Sequence, residues 1–182
     1  IGISAVVMGA MIALQLQQLR EANHLSDKLA TLDLEKTLVT ELSDGSTCQY
    51  ILNNPTQLTF NSTALSPSSP QYMAPTLPIY SKVVAGVPGP VLAQVGSPVS
   101  GPSDSLKVAS IRLKILSGVG NIFKANWEIS FSNVSGIRAI KPITVSTVLI
   151  ADVSIPTAAK VLSCSSNRPV FTNITYHSFC NT

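Results

Sequence analysis

The first nineteen residues, Ile1 to Leu19, carry no charge, and the chain then runs from Leu16 to Leu42 without a proline or a glycine. Only Ser4, Gln15, Gln17 and Gln18 interrupt the apolar start, and apolar side chains up to Leu14 surround every face. A helix greasy all round belongs in a membrane or deep among other protein surfaces. Fourteen to nineteen residues fall just short of the roughly 20 that span a bilayer. The ordinary reading of such a segment is a membrane or signal anchor. The chain starts at Ile1 without a methionine, so it is expected to be processed or to begin within a longer reading frame.

Beyond Leu19 the pattern becomes one-sided. Leu25, Leu29, Leu32, Val39 and Leu42 recur at spacings of three, four and seven, with Leu38 beside them. Such spacing predicts one stripe along a helix. Asp27, Lys28, Asp33, Glu35 and Lys36 fall largely off that stripe. The stripe is therefore expected to pack the helix onto a globular head. Ser43, Asp44 and Gly45 read as the stop signal, with Gly45 in the left-handed conformation past the helix end. A helix from Ile1 to about Leu42 would be on the order of 60 Å long.

Three segments follow from composition. Residues 1–45 form the long helix. Residues 46–105 hold nine of the twelve prolines, all between Pro55 and Pro102. Proline cannot donate to a strand ladder, so this stretch reads as a surface connection. Short edge strands are expected at Gln57–Phe60, Lys82–Ala85 and Val91–Val95. Residues 106–182 read as β. Ile111, Leu113 and Ile115 alternate with Arg112 and Lys114, and Trp127, Ile129 and Phe131 alternate with Glu128 and Ser130. That period of two gives one buried and one wet face. Gly118 to Asn121 is the expected hairpin connection. Ile143 to Val153 is rich in β-branched residues and reads as a central strand, and Lys160 to Cys164 as the last one. The expected fold class is α+β: a long N-terminal helix, hydrophobic in its first half and amphipathic in its second, packed on an antiparallel meander of about four strands.

Charge narrows the function. Charged residues make up 12% of the 182, half of what soluble domains usually carry, and the net charge is +3. Hydrophobic content of 45% argues against disorder. The twelve basic residues are scattered, so no footprint for a phosphate backbone exists, and no nucleic-acid partner is expected. Cys48, Cys164 and Cys180 contain no CxxC pair. His24 and His177 stand far from them, so no metal site is expected. His24 reads as a solvated helix residue and Trp127 as core. No glycine-rich phosphate loop and no local Ser-His-Asp pattern occurs, so neither a catalytic residue nor a cofactor is assigned. Asn61, Asn133 and Asn173 head N-glycosylation sequons.

A greasy helix, a proline-rich link, a C-terminal antiparallel sheet and cysteines near the end together resemble the type IV pilin and pseudopilin superfamily. The stretch IGISAVVMG is similar to the family's N-terminal signature if Ile1 directly follows the family's glutamate, which aligns Gly9 with its glycine. If Ile1 is instead the mature start, Ala5 stands where the glutamate would be. The proline that kinks the family's helix is missing, and Gln15, Gln17 and Gln18 occupy its neighbourhood. The pattern around Ile143 to Cys164 is similar to the end of minor pilins.

The resemblance implies a structural subunit of an extracellular filament, made of identical copies in helical array. Before assembly it would sit in the cytoplasmic (inner) membrane, and it would be handled by the pilus assembly machinery. Ile1, Ile3, Val6, Val7, Gly9, Ala10, Ile12, Leu14, Leu16 and Leu19 would form the filament core, with Gly9 and Ala10 allowing close helix approach. Leu25, Leu29, Leu32, Val39 and Leu42 would dock the head. An exported head meets oxidising conditions, where disulfides form. Cys164 with Cys180 would close a C-terminal loop like the family's, and Cys48 with Cys164 would tie the helix end to the last strand. Both pairings remain open at this point, with roughly 3 kcal/mol of chain entropy for the short loop and somewhat more for the long one. A membrane-anchored exported binding domain, a secretion-system pseudopilin and a minor pilin are the alternatives.

Overall fold

A computed structural model describes residues 2–66, 68–99, 106–133 and 139–166. The helix α1 runs unbroken over Gly2–Glu41, about 60 Å at 1.5 Å per residue. A short second helix, α2, covers Gly45–Asn53. Asp44 caps it: the carboxylate accepts a hydrogen bond from the Thr47 backbone N–H at 3.0 Å and from the Thr47 hydroxyl at 2.8 Å. Gly45 is thus the first residue of a new helix rather than a left-handed helix stop. A glycine fits there because a Cβ at position 45 would stand 3.1 Å from the Cys164 carbonyl oxygen.

The main sheet has six strands in the order β1-β10-β9-β8-β7-β2, all antiparallel. Its centre is the expected meander: β7 (Leu106–Val119), β8 (Ile122–Asn133), β9 (Ile143–Asp152) and β10 (Ala159–Ser166). The edges are short, β1 at Thr59–Phe60 and β2 at Gln71–Met73. Four further strands make two small ribbons, β3 (Ile79–Tyr80) with β6 (Val91–Ala93) and β4 (Val83–Val84) with β5 (Val87–Pro88). The β7–β8 connection turns at Gly120, whose φ of +63° is the left-handed conformation that glycine adopts at no steric cost.

One face of the sheet is buried. Leu113, Trp127 and Val145 lie side by side across three strands, as do Ile111, Ile129 and Ile143. The alternation of two that the sequence shows is what places them together. Register shifts within the strands reset the count. Val108 and Ile111 both point inward although they are three positions apart, because the register shifts between Val108 and Ser110. Val161 and Cys164 do the same across a shift between Val161 and Ser163. An extra residue in one strand is how a bulge turns the following side chain to the other face.

The proline-rich stretch is more than a surface connection. Ile51, Leu52, Phe60, Ile79, Ala93 and Val99 are all buried in the same core as the sheet. Ile51 and Leu52 come from α2, Phe60 from the edge strand β1, and Ile79 and Ala93 from the β3–β6 ribbon, so short elements reach the core without the long ladders that proline forbids.

Candidate functional site

The side of α1 that meets the head is Asp27, Thr31, Leu34, Leu38 and Leu42, each buried. Their spacing of four, three, four and four residues is one helix face. Thr31 donates its hydroxyl hydrogen to the Asp27 carbonyl at 2.7 Å, which satisfies it within the helix. The face packs against β9, and its lower end meets the core through Leu38 and Leu42.

This corrects the expected docking stripe. Leu42 is fully buried and Val39 is half-buried against the core. Leu25, Leu29 and Leu32 are 59%, 59% and 60% exposed. At 100° per residue those three point some 150° away from the buried row. The leucine pattern marks a real stripe, but the stripe faces away from the head. The buried row escapes a hydropathy reading because two of its five members are Asp27 and Thr31. His24, expected in solvent, is half-buried.

Nothing in the described head covers the exposed side. A groove of about 510 Å³ stays open beside Leu32, between Lys28, Thr31 and Glu35 of the helix and Ile140 and Lys141 ahead of β9. Toward the N-terminus Met8, Met11, Ile12, Leu14, Leu16 and Leu19 are exposed as well. Of the residues expected in a filament core, Ile12, Leu14, Leu16 and Leu19 are therefore uncovered in the single chain. The side chains of Ile3, Val6, Val7, Gly9 and Ala10, and all of Ile1, lie outside the described residues. Among the described residues no helix is long and apolar enough to cross a membrane.

The junction between helix and head is held on both sides. Cys48 in α2 and Cys164 in β10 form a disulfide with Cα atoms 5.9 Å apart. Of the two pairings left open by the sequence, this one ties the helix end to the last strand; Cys180 lies outside the described residues. Hydrogen bonds from the Ser46 hydroxyl, then from Thr47, hold the Asp44 carboxyl below the usual aspartate range, aided by the charge of Lys82. Thr47 also accepts the Val83 backbone N–H at 3.0 Å, so the cap reaches into the β4–β5 ribbon.

The outer sheet face is wet and mixed. Lys114 pairs with Glu128 at 3.6 Å and lies 5.5 Å from the centre of the Tyr72 ring. Tyr72 foremost, and Glu128 after it, raise the Lys114 pKa. At the hairpin end of the same face Val119, Ile122, Ile150 and Leu162 are exposed. Their signal was the apolar residue at outward positions of each strand, which a reading centred on the buried face passes over. In the sequon at Asn61 the side-chain oxygen accepts from the Thr63 backbone N–H at 3.0 Å and from its hydroxyl at 2.7 Å. The side chain of Asn133 and all of Asn173 lie outside the described residues. Among the described residues no group of three or more His, Cys, Asp or Glu side chains is placed to hold a metal ion.

In comparisons with known proteins, no family model, no curated protein and no solved structure matches this chain.

Proposed function

We propose that the chain is a structural subunit of an extracellular, type IV pilus-like filament, polymerising through α1 with the head outward. One observation carries this reading: a 40-residue helix that its own head covers on one side and only toward the C-terminal end. Monomeric soluble proteins seldom expose contiguous apolar surface on this scale. Copies of the same helix would remove it from water once the chain leaves the bilayer. The disulfide and the Asp44 cap fix the head to the helix end, so that burial of the helix positions the head as well.

The test is a charge in the greasy segment. Ala5→Asp and Val7→Asp are each expected to abolish fibres in electron micrographs of sheared surface material, while near-ultraviolet circular dichroism shows a folded head. Normal fibres from either variant would overturn the reading. Native material that stays dispersed, with its front end embedded in bilayer, would favour a membrane-anchored exported binding domain. A pseudopilin or minor pilin would share the helix contacts but be scarce in the fibre.

A further inference from the structure

The outer face of the main sheet gathers cations that the sequence spreads out. Lys107, Arg112 and Lys114 lie on β7, Lys124 on β8 and Lys160 on β10. Each stands between two buried residues, so the period of two turns all five outward. Glu128 and Asp152 are the only acidic residues of the described strands, and they share this face. The face therefore holds five of the chain's twelve basic residues and two of its nine acidic ones, a balance of +3 that equals the net charge of the whole chain. The helix α1 has the opposite balance, three basic residues against five acidic ones.

The face does not neutralise itself. Glu128 lies opposite Arg112 in the ladder but takes Lys114, at 3.6 Å, and Asp152 stands opposite Lys160. Lys107, Arg112 and Lys124 are exposed and make no salt bridge among the described residues. Arg112 and Lys114 are about 7 Å apart along β7. Lys124 is one outward row further on the neighbouring strand. Such separations are within the roughly 10 Å over which charges act together at 0.1 M salt. Lys107 and Lys160 carry the field toward opposite ends of the sheet.

Charge complementarity calls for an anion, and the groups between the cations say which. Ser110 and Ser130 share a hydrogen bond of 2.7 Å, and Ser146 donates to the Asn126 side-chain oxygen at 3.0 Å. Hydroxyls and amides both donate and accept, which matches the hydroxyls of a sugar chain. A carboxylated polysaccharide spaces its charges by one or two rings. Duplex DNA places one every ~1.7 Å of axis and asks for a denser track of cations, without carboxylates in it. Tyr72 already has Lys114 over its ring, 5.5 Å from the centre, where an unpaired base would stack.

We propose that the outer face of the sheet binds an acidic polysaccharide, a polymer of carboxylated sugars, through Arg112, Lys114 and Lys124. The site belongs to a single head and does not need the filament. In a fibre with heads outward the face would recur in every copy, and weak contacts would add up along one polymer.

The test is surface plasmon resonance of the full chain, dispersed in nonionic detergent, over immobilised polygalacturonate. Binding is expected at low ionic strength and should vanish near 1 M salt, where the screening length falls to about 3 Å. Arg112→Gln/Lys124→Gln should weaken it about tenfold, as the loss of two exposed charge contacts would. Lys28→Gln/Lys36→Gln removes the same charge from α1 and should leave it unchanged. All four side chains are exposed, so both variants keep the fold, checked by near-ultraviolet circular dichroism. No binding to polygalacturonate, equal binding to neutral dextran, or equal weakening by the two variants would overturn the proposal. Tighter binding of duplex DNA through the same Arg112 and Lys124 would overturn it in favour of a nucleic-acid partner. Because the chains are dispersed, failure to form fibres leaves the result untouched. Fibres from a chain that ignores polygalacturonate leave the filament reading standing alone.

Discussion

Asp44 shows how much one side chain does at the junction. Its carboxylate closes the first turn of α2 and holds Thr47, which in turn accepts from Val83. Because the hydrogen bond from the Ser46 hydroxyl, and after it those from Thr47, favour the charged form, the folded pKa lies below the unfolded one. Its contribution is present above the unfolded value of about 4 and is lost as pH falls through the folded value. Asp44→Ala is expected to cost about 1 kcal/mol at neutral pH. The gap between the two proteins should close as pH drops below about 4, checked by urea titration across pH. An undiminished gap at acid pH would contradict this account.

At the level of elements the two sides of α1 should respond oppositely. Leu38 is wholly buried and Leu29 is mostly in water. Leu38→Ala is expected to destabilise the head by roughly 2–5 kcal/mol, through lost burial and a residual cavity. Leu29→Ala should change head stability by no more than about 0.5 kcal/mol. Denaturant melts of both variants in detergent measure this, and a large loss from Leu29→Ala would mean that the head covers that face after all. The element level is also where reading by pattern met its limit. The alternations in Ile111–Ile115 and Trp127–Phe131 place the strands, since a period of two has one structural meaning. The leucine period in α1 has two: packing on the head, or packing on something outside the chain. Hydropathy alone does not choose between them. The docking row itself was hidden, because Asp27 and Thr31 stand in it.

For the whole molecule the disulfide is a long-range covalent constraint, joining residues 116 apart. In the chain-entropy model, closing a loop of that size stabilises the fold by about 5 kcal/mol. The double substitution Cys48→Ser/Cys164→Ser should therefore lower head stability by several kcal/mol and loosen α2 from β10. Thermal melts of the oxidised and substituted proteins check it, and equal melting temperatures would remove the bridge from the account.

The residues in order determine the local elements: an uncharged helix start, an uninterrupted helix after it, and strands wherever apolar and polar residues alternate. Those follow from backbone geometry acting over a few neighbours. Which face of the helix is covered, which cysteines meet, and how the proline-rich stretch joins the core depended on the assembled fold. The bulge between Val161 and Ser163 is the plainest case. By strict alternation Val161 and Cys164 would lie on opposite faces; one extra residue in the strand turns Cys164 inward to Cys48. A bulge arises from matching two strands to each other and to the helix above them, and that matching exists only once distant segments are brought together.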